Sequence, residues 1–346
     1  MWKEKRMTSL MYEEARTASA AVTRQLREAE GAIQALAESL RRQPPQLAVT
    51  VARGSSDHAA TYFAYLAMQR IGVPVTSLPM SLMTLRQTSL KVAGQLALGF
   101  SQSGKSPDLV GTLKALRAQG ALTAALVNVT DSPLAEACGH AIPLSAGSER
   151  SVAATKSFIA TLSAGARLVA HWQNDTALLE AGQQLPDDLQ RAWALDWTPA
   201  LDALQSAQRC MVVGRGLGFG IALEAALKLK ETSMLQGEAF SGAEIKHGPM
   251  ALIDEGYPLL IFAPRGPEQA GLLALADDMR QRGANVLLAA PAHVPGRTLT
   301  LAEAGHPDLD PLLAIQSFYK MAAALAEARG LNPDEPRHLQ KVTCTR

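Results

Sequence analysis

One pattern recurs along the 346 residues and limits the possible folds more than any other. An apolar, β-rich run ends in an Arg-Gly turn and leads into a helix. In the first half, residues 47–52 run into Arg53-Gly54-Ser55-Ser56 and a helix to about Arg70. In the second, residues 210–213 run into Gly214-Arg215-Gly216 and a helix from about Ile221. Further strands are expected at 73–78, 95–100 and 122–128, with a helix over 107–119, and again at 258–263 and 286–290, with a helix over 268–282. Strands alternating with helices imply α/β structure, a parallel sheet with helices on both faces. The loop Ser101-Gln102-Ser103-Gly104 corresponds in order to Pro264-Arg265-Gly266, each at nearly the same distance from its Arg-Gly turn. The match in order reads as a duplicated unit, the alternative being two unrelated α/β domains. The expected organisation is one helical segment over 1–43, stopped by Pro44-Pro45, a domain over 44–185, a looser stretch over 185–199, a second domain over 200–335, and a tail over 336–346.

Apolar residues make up 47% of the chain and charged residues 19%, a globular balance. Lys and Arg (33) nearly cancel Asp and Glu (32), which argues against nucleic acid as a partner. No uncharged apolar run reaches the roughly 18 residues needed to span a bilayer, and the charged start lacks an apolar leader. A soluble, cytoplasmic protein with no membrane partner is expected. Cys138, Cys210 and Cys344 are far apart and form no CxxC pair, so neither a disulfide framework nor a metal site is expected.

Ligands in open parallel sheets sit beyond the carboxyl ends of the strands. Ser101-Gln102-Ser103-Gly104-Lys105-Ser106 occupies such a place: small residues expose N–H groups, hydroxyls add donors, and the following helix adds positive dipole. A phosphomonoester would suit it, and so would an ordinary serine-rich helix cap. Gly214-Arg215-Gly216-Leu217-Gly218 lacks GxGxxG spacing and is followed by a long helix rather than an acidic strand end, so no dinucleotide cofactor is expected. Glu224, Lys228 and Glu231 share one helical face. They form either a solvated ion-pair ladder or a tuned carboxylate facing a cleft. His247, in Glu244-Ile245-Lys246-His247-Gly248-Pro249, is either structural or an acid/base group. Pro336-Arg337-His338-Leu339-Gln340-Lys341 brings cations at the end of the chain, which composition alone would leave as a solvated tail.

These four motifs, in this order, resemble the sugar-isomerase (SIS) domain family, specifically the isomerase half of glucosamine-6-phosphate synthase, over about residues 47–342. The resemblance implies two tandem flavodoxin-like SIS domains, no cofactor, and a phosphosugar site completed across a homodimer. By motif match, Ser101, Gln102, Ser103 and Ser106 would hold the phosphate, and Ser56 and Val152 would line the sugar. Glu231 would move the proton between C1 and C2, Lys228 would stabilise charge developing on oxygen, and His247 of a neighbouring subunit would open the ring. Lys341, in the tail that closes the site, would approach the open-chain carbonyl.

Three departures from the synthase pattern shape the functional expectation. Trp2, not a cysteine nucleophile, follows Met1, so the glutaminase reaction is not expected. Lys105 and Ser106 follow SQSG where Glu and Thr are usual, which keeps the hydroxyl. Val152-Ala153-Ala154-Thr155-Lys156 lacks one hydroxyl of the family's stretch. The resemblance then implies the hydrolytic direction, a SIS-type glucosamine-6-phosphate deaminase yielding fructose 6-phosphate and ammonium. Alternatives are a deglycase of phosphorylated fructosamines, a galactosamine-6-phosphate deaminase, and a non-catalytic phosphosugar-sensing module.

Overall fold

The computed structural model describes residues 9–341. The chain opens with α1 (Leu10–Arg16), α2 (Ala18–Glu28) and α3 (Glu30–Arg42), three consecutive helices where periodicity predicts one. The first break is at Thr17, whose hydroxyl donates to the Glu14 carbonyl (2.8 Å) and ends the turn. The second is at Ala29. Then follow β1 (Ala48–Val51), α4 (Ser55–Ile71), β2 (Val75–Ser77), α5 (Ser81–Thr84), β3 (Leu96–Ser101), α6 (Pro107–Ala118), β4 (Leu122–Val127), α7 (Pro133–Ala137), β5 (His140–Pro143) and α8 (Lys156–Gln173). Next come α9 (Thr176–Ala194), α10 (Thr198–Leu204), β6 (Arg209–Gly214), α11 (Leu217–Ser233), β7 (Gln236–Ser241), β8 (Pro258–Phe262), α12 (Gln269–Gln281), β9 (Asn285–Pro291), β10 (Leu299–Leu301) and α13 (Asp310–Ala328).

Much of the stretch expected to be loose is therefore helix. Along α9 the residues Leu178, Leu185, Leu189 and Ala192 are buried. Burial of that stripe offsets the one hydrogen bond that Pro186 removes.

Two compact units result, one made of residues 20–148 and 157–183, the other of 9–19, 149–156 and 184–341. Each contains one five-stranded, wholly parallel sheet, ordered β2-β1-β3-β4-β5 in the first and β10-β9-β8-β6-β7 in the second. Counted within each unit, both have the flavodoxin-like order 2-1-3-4-5. The duplicated α/β architecture is thus present in full. All six residues of β3 are buried, as expected for a central strand covered on both faces. In the first unit Val49, Val51, Ala125 and Val127 pack with Leu113 and Leu116 of α6. In the second, Met211, Val213, Leu259 and Ile261 pack with Leu275 and Met279 of α12. Three strands escaped the sequence reading, β5, β7 and β10, and all lie at sheet edges. Each is either short, as β5 and β10 are, or polar, as β7 (QGEAFS) is, so the apolar run that marks a central strand is missing. No described helix is long and apolar enough to cross a membrane.

Candidate active site

In the 2-1-3-4-5 order the strand sequence reverses between the first and third strands, and a crevice forms above their carboxyl ends. In the first unit that crevice is framed by the turns after β1 and β3. Gly54 takes φ 53° and ψ −133°, a conformation that favours glycine, and swings the chain into α4 so that half-buried Ser56 stands on its first turn.

Opposite, Ser101 closes β3 and its hydroxyl accepts the Gly104 N–H at 2.9 Å, folding the loop back on itself. Gly104 (φ +64°) has no room for a side chain: a Cβ there would lie 2.1 Å from the Ser132 hydroxyl oxygen. The half-buried Gln102 and Ser103 follow, the Ser103 hydroxyl accepting the Lys105 N–H at 3.3 Å. Ser106 is the N-cap of α6, yet its side chain makes no capping hydrogen bond. Asp108, buried in the first turn of α6, would repel an anion, but Arg53 donates to its Oδ2 from Nη2 at 3.1 Å and from Nε at 3.2 Å. The loop therefore combines hydroxyls, turned-in backbone and a helix N-terminus whose own carboxylate is neutralised. The five residues Ser56, Ser101, Gln102, Ser103 and Ser106 all belong to this crevice.

The charged residues of the helical motif lie in the other unit. Helix α11 buries Glu224 and Lys228 completely and leaves Glu231 mostly covered, with 0%, 1% and 18% of their side chains exposed. This is no solvated ladder. The Lys228 ammonium stands 3.3 Å from Glu224 and pairs directly with Glu231, and the Tyr319 hydroxyl of α13 donates to Glu224 Oε1 at 3.1 Å. Burial by itself would depress Lys228, but the two carboxylates outweigh it and hold the ammonium above the ordinary lysine range. Burial, reinforced by the Glu224 charge, pushes the Tyr319 hydroxyl well above its usual value, so it stays protonated and can donate to Glu224. Of the four groups Glu231 is the one that reaches solvent, lining a cleft of about 530 Å³ together with Leu227, Lys230, Met234, Arg337 and Leu339.

Lys341 and Val152 meet on one segment. The Lys341 ammonium donates to the Ser151 carbonyl at 2.7 Å and to Glu149 Oε2 at 3.2 Å, beside half-buried Val152. His247 ends a 3-10 turn anchored by buried Ile245, and its own side chain is exposed. Among the described residues it makes no side-chain hydrogen bond or ion pair. Sequence reasoning missed Tyr319, which hides in the apolar run of α13, and Glu149, whose clue was its place just before the Val152 motif.

The SIS domain family model matches residues 45–170 and 203–290. The glutamine–fructose-6-phosphate aminotransferase of Methanothermobacter thermautotrophicus is 32% identical over 301 residues, 84% of this chain and 50% of that protein. The chain thus spans about half the length of the curated relatives it matches. Among solved structures, a Silicibacter pomeroyi DSS-3 protein provisionally named a phosphosugar isomerase matches with a TM-score of 0.90 and 40% identity, over 94% of this chain and all of that one. The C-terminal domain of the Francisella tularensis glucosamine-fructose-6-phosphate aminotransferase matches with a TM-score of 0.85 and 25% identity, over 97% of this chain and all of that domain. Sheet order, motifs and these matches agree, and the chain belongs to the SIS domain family.

Proposed function

We propose that this protein is a phosphosugar isomerase whose reaction ends in hydrolysis, converting glucosamine 6-phosphate to fructose 6-phosphate and ammonium. The observation that carries the reading is the Glu224–Lys228–Glu231 array, in which one carboxylate reaches a cleft and its charged neighbours are buried. The hydroxyl-rich loop Ser101–Ser106 holds the phosphate, with Ser56 and Val152 beside the sugar. His247, supplied by a neighbouring subunit of a homodimer, opens the ring. Glu231 then takes the C2 proton of the open-chain aldehyde and returns it to C1, while a proton passes from the nitrogen to the C1 oxygen, leaving a hydroxyl at C1 and an imine at C2. Lys228 stabilises the negative charge that builds on the C1 oxygen during that transfer, and Lys341 addresses the open-chain carbonyl. Water adds to C2, the C2–N bond breaks, and the nitrogen leaves with the proton it gains. Water is the only co-reactant that this direction consumes.

The test is parallel measurement of ammonium and fructose 6-phosphate from purified protein given glucosamine 6-phosphate. Equal amounts of both are expected, and Glu231→Gln is expected to lower kcat by about 10²–10⁴-fold while phosphosugar affinity is kept. Unchanged turnover in that variant would remove Glu231 from the mechanism.

A second reading, cleavage of an N-substituted sugar phosphate, is favoured by one observation. The cleft beside Glu231 has apolar walls, Leu227, Met234 and Leu339, and two cations, Lys230 and Arg337. Such walls suit a substituent on nitrogen that ends in a carboxylate. Preference for a fructosamine 6-phosphate carrying an amino acid, over free glucosamine 6-phosphate, would decide for it.

A further inference from the structure

The segment that carries Val152 is gripped by both ends of the chain. Between Glu149 and Thr155 the backbone is neither helix nor strand, so its N–H groups need partners from elsewhere. Glu14 of α1 accepts the Arg150 N–H at 2.6 Å and the Ser151 N–H at 3.1 Å, one on each carboxylate oxygen. The Asp334 carbonyl accepts the Val152 N–H at 3.4 Å, and Glu149 accepts the Thr155 N–H at 3.0 Å. Asp334 in turn fixes α1, its two carboxylate oxygens accepting the Leu10 and Met11 N–H groups at 2.7 Å each. The Gln316 side chain adds a bond to the Ala15 carbonyl at 3.0 Å. Four backbone amides of seven residues are thus tied down, two of them by a carboxylate about 136 positions earlier in the sequence.

What this grip holds is Lys341. A lysine ammonium is a point charge on a flexible stem, so its place is set by its acceptors. Both acceptors, Glu149 Oε2 and the Ser151 carbonyl, belong to the gripped segment. A displacement there moves Lys341 with it. We propose that Glu14 and Asp334 are positioning residues, which set the reach of Lys341 by clamping residues 149–155 between α1 and the C-terminal tail. Helix α1 lies outside the residues matched by the family model and would otherwise be taken for a mere N-terminal extension. The inference rests on the role given to Lys341 under the proposed function. Glu14 touches no reacting atom in this scheme, so its effect has to appear through Lys341.

The test uses the full chain carrying Glu14→Gln, with Asp334→Asn as the second variant should the first fail to fold. Arg150 is exposed, so trypsin cleavage after it reports the grip directly. Cleavage is expected to accelerate about tenfold or more in either variant, because proteolysis follows the population of opened segment. Lys341 is read by incubation with fructose 6-phosphate and cyanoborohydride, in which the ε-amine and the ketone lose water to form an imine that hydride reduces to a stable secondary amine. Mass spectrometry then counts the adduct on Lys341. Its yield is expected to fall about tenfold, and kcat with it, while KM stays within about twofold, since small misplacement of a reacting group costs rate rather than binding. Faster cleavage with unchanged adduct and kcat would make the grip purely structural and overturn the proposal, as would unchanged cleavage. Adduct formation does not depend on turnover. If the wild-type protein forms it without releasing ammonium, the deaminase reading falls while the positioning claim is still decided.

Discussion

The two sheets share a strand order and the same turn after their first strand, yet their crevices have opposite contents. Gly54 takes φ 53° and ψ −133°, and Gly216 takes φ 55° and ψ −130°. Above the first sheet, hydroxyls and a helix N-terminus face the crevice, and Arg53 cancels the nearby Asp108. Above the second, the corresponding loop carries Arg265, whose guanidinium donates to both oxygens of Asp310 at 2.8 and 2.7 Å and to the Ala304 carbonyl at 2.7 Å. Glu268 lies so close to the second turn that a Cβ on Gly216 would come within 2.4 Å of its Oε1. The first crevice offers donors to an anion. The second has used its cation internally and presents a carboxylate. Duplicating a fold therefore did not duplicate the chemistry of its crevice, because loop residues decide what a switch point can hold. What the second unit contributes is the buried charge array of α11.

The hardest blow to this division of labour is Lys228→Met. It leaves Glu224 and Glu231 facing each other without their cation, so stability should fall by about 3–5 kcal/mol and turnover should disappear. Phosphosugar binding, assigned to the other unit, should survive in whatever fraction folds. The pH dependence has a definite sign. Lys228 is held above the ordinary lysine value of 10.5, so its contribution is complete below that value and is lost as pH rises through the folded one. Urea unfolding of the wild type should therefore show an alkaline decline that begins above about pH 10.5 and is reduced in Lys228→Met. A variant that kept turnover would dissolve the comparison.

A paired substitution sharpens it. Gly104→Ala and Gly216→Ala both place a side chain at positive φ, 2.1 Å from Ser132 Oγ and 2.4 Å from Glu268 Oε1 respectively. Each should cost about 1–3 kcal/mol of stability by unfolding measurements. Only Gly104→Ala should raise KM for the phosphosugar, by about tenfold, which is about 1.4 kcal/mol of lost binding. An equal rise in both would mean that the second crevice also takes the ligand.

This asymmetry was only partly legible in the sequence. Central strands announced themselves as apolar runs, and the Arg-Gly turns revealed the duplication, because a sharp strand-to-helix turn needs glycine wherever it recurs. The spacing of Glu224, Lys228 and Glu231 placed them on one face but could not say whether that face met water. Burial was decided by α13, whose packing residues lie about ninety positions away. The same distance hid Tyr319, and a greater one hid Glu14 and Asp334, whose partners are backbone N–H groups that leave no trace in residue identity. Pairings of that kind exist only once the chain has closed.

Tyr319→Phe is the smallest of these changes and probes how the second unit holds its charges. The phenyl ring keeps the packing, and only the hydroxyl that donates to Glu224 is lost. Stability should drop by about 1 kcal/mol, the ordinary worth of one hydrogen bond, because Lys228 still faces the carboxylate. With one donor fewer, Glu224 draws harder on the Lys228 ammonium and loosens its pairing with Glu231. The expected result is a fall in kcat of about two- to fivefold with KM unchanged, since the proposed mechanism assigns the affected groups to the reacting carbons rather than the phosphate. A rise in KM with kcat intact would instead place α13 in substrate binding, and the separation between an anion-holding unit and a proton-moving unit would have to be redrawn.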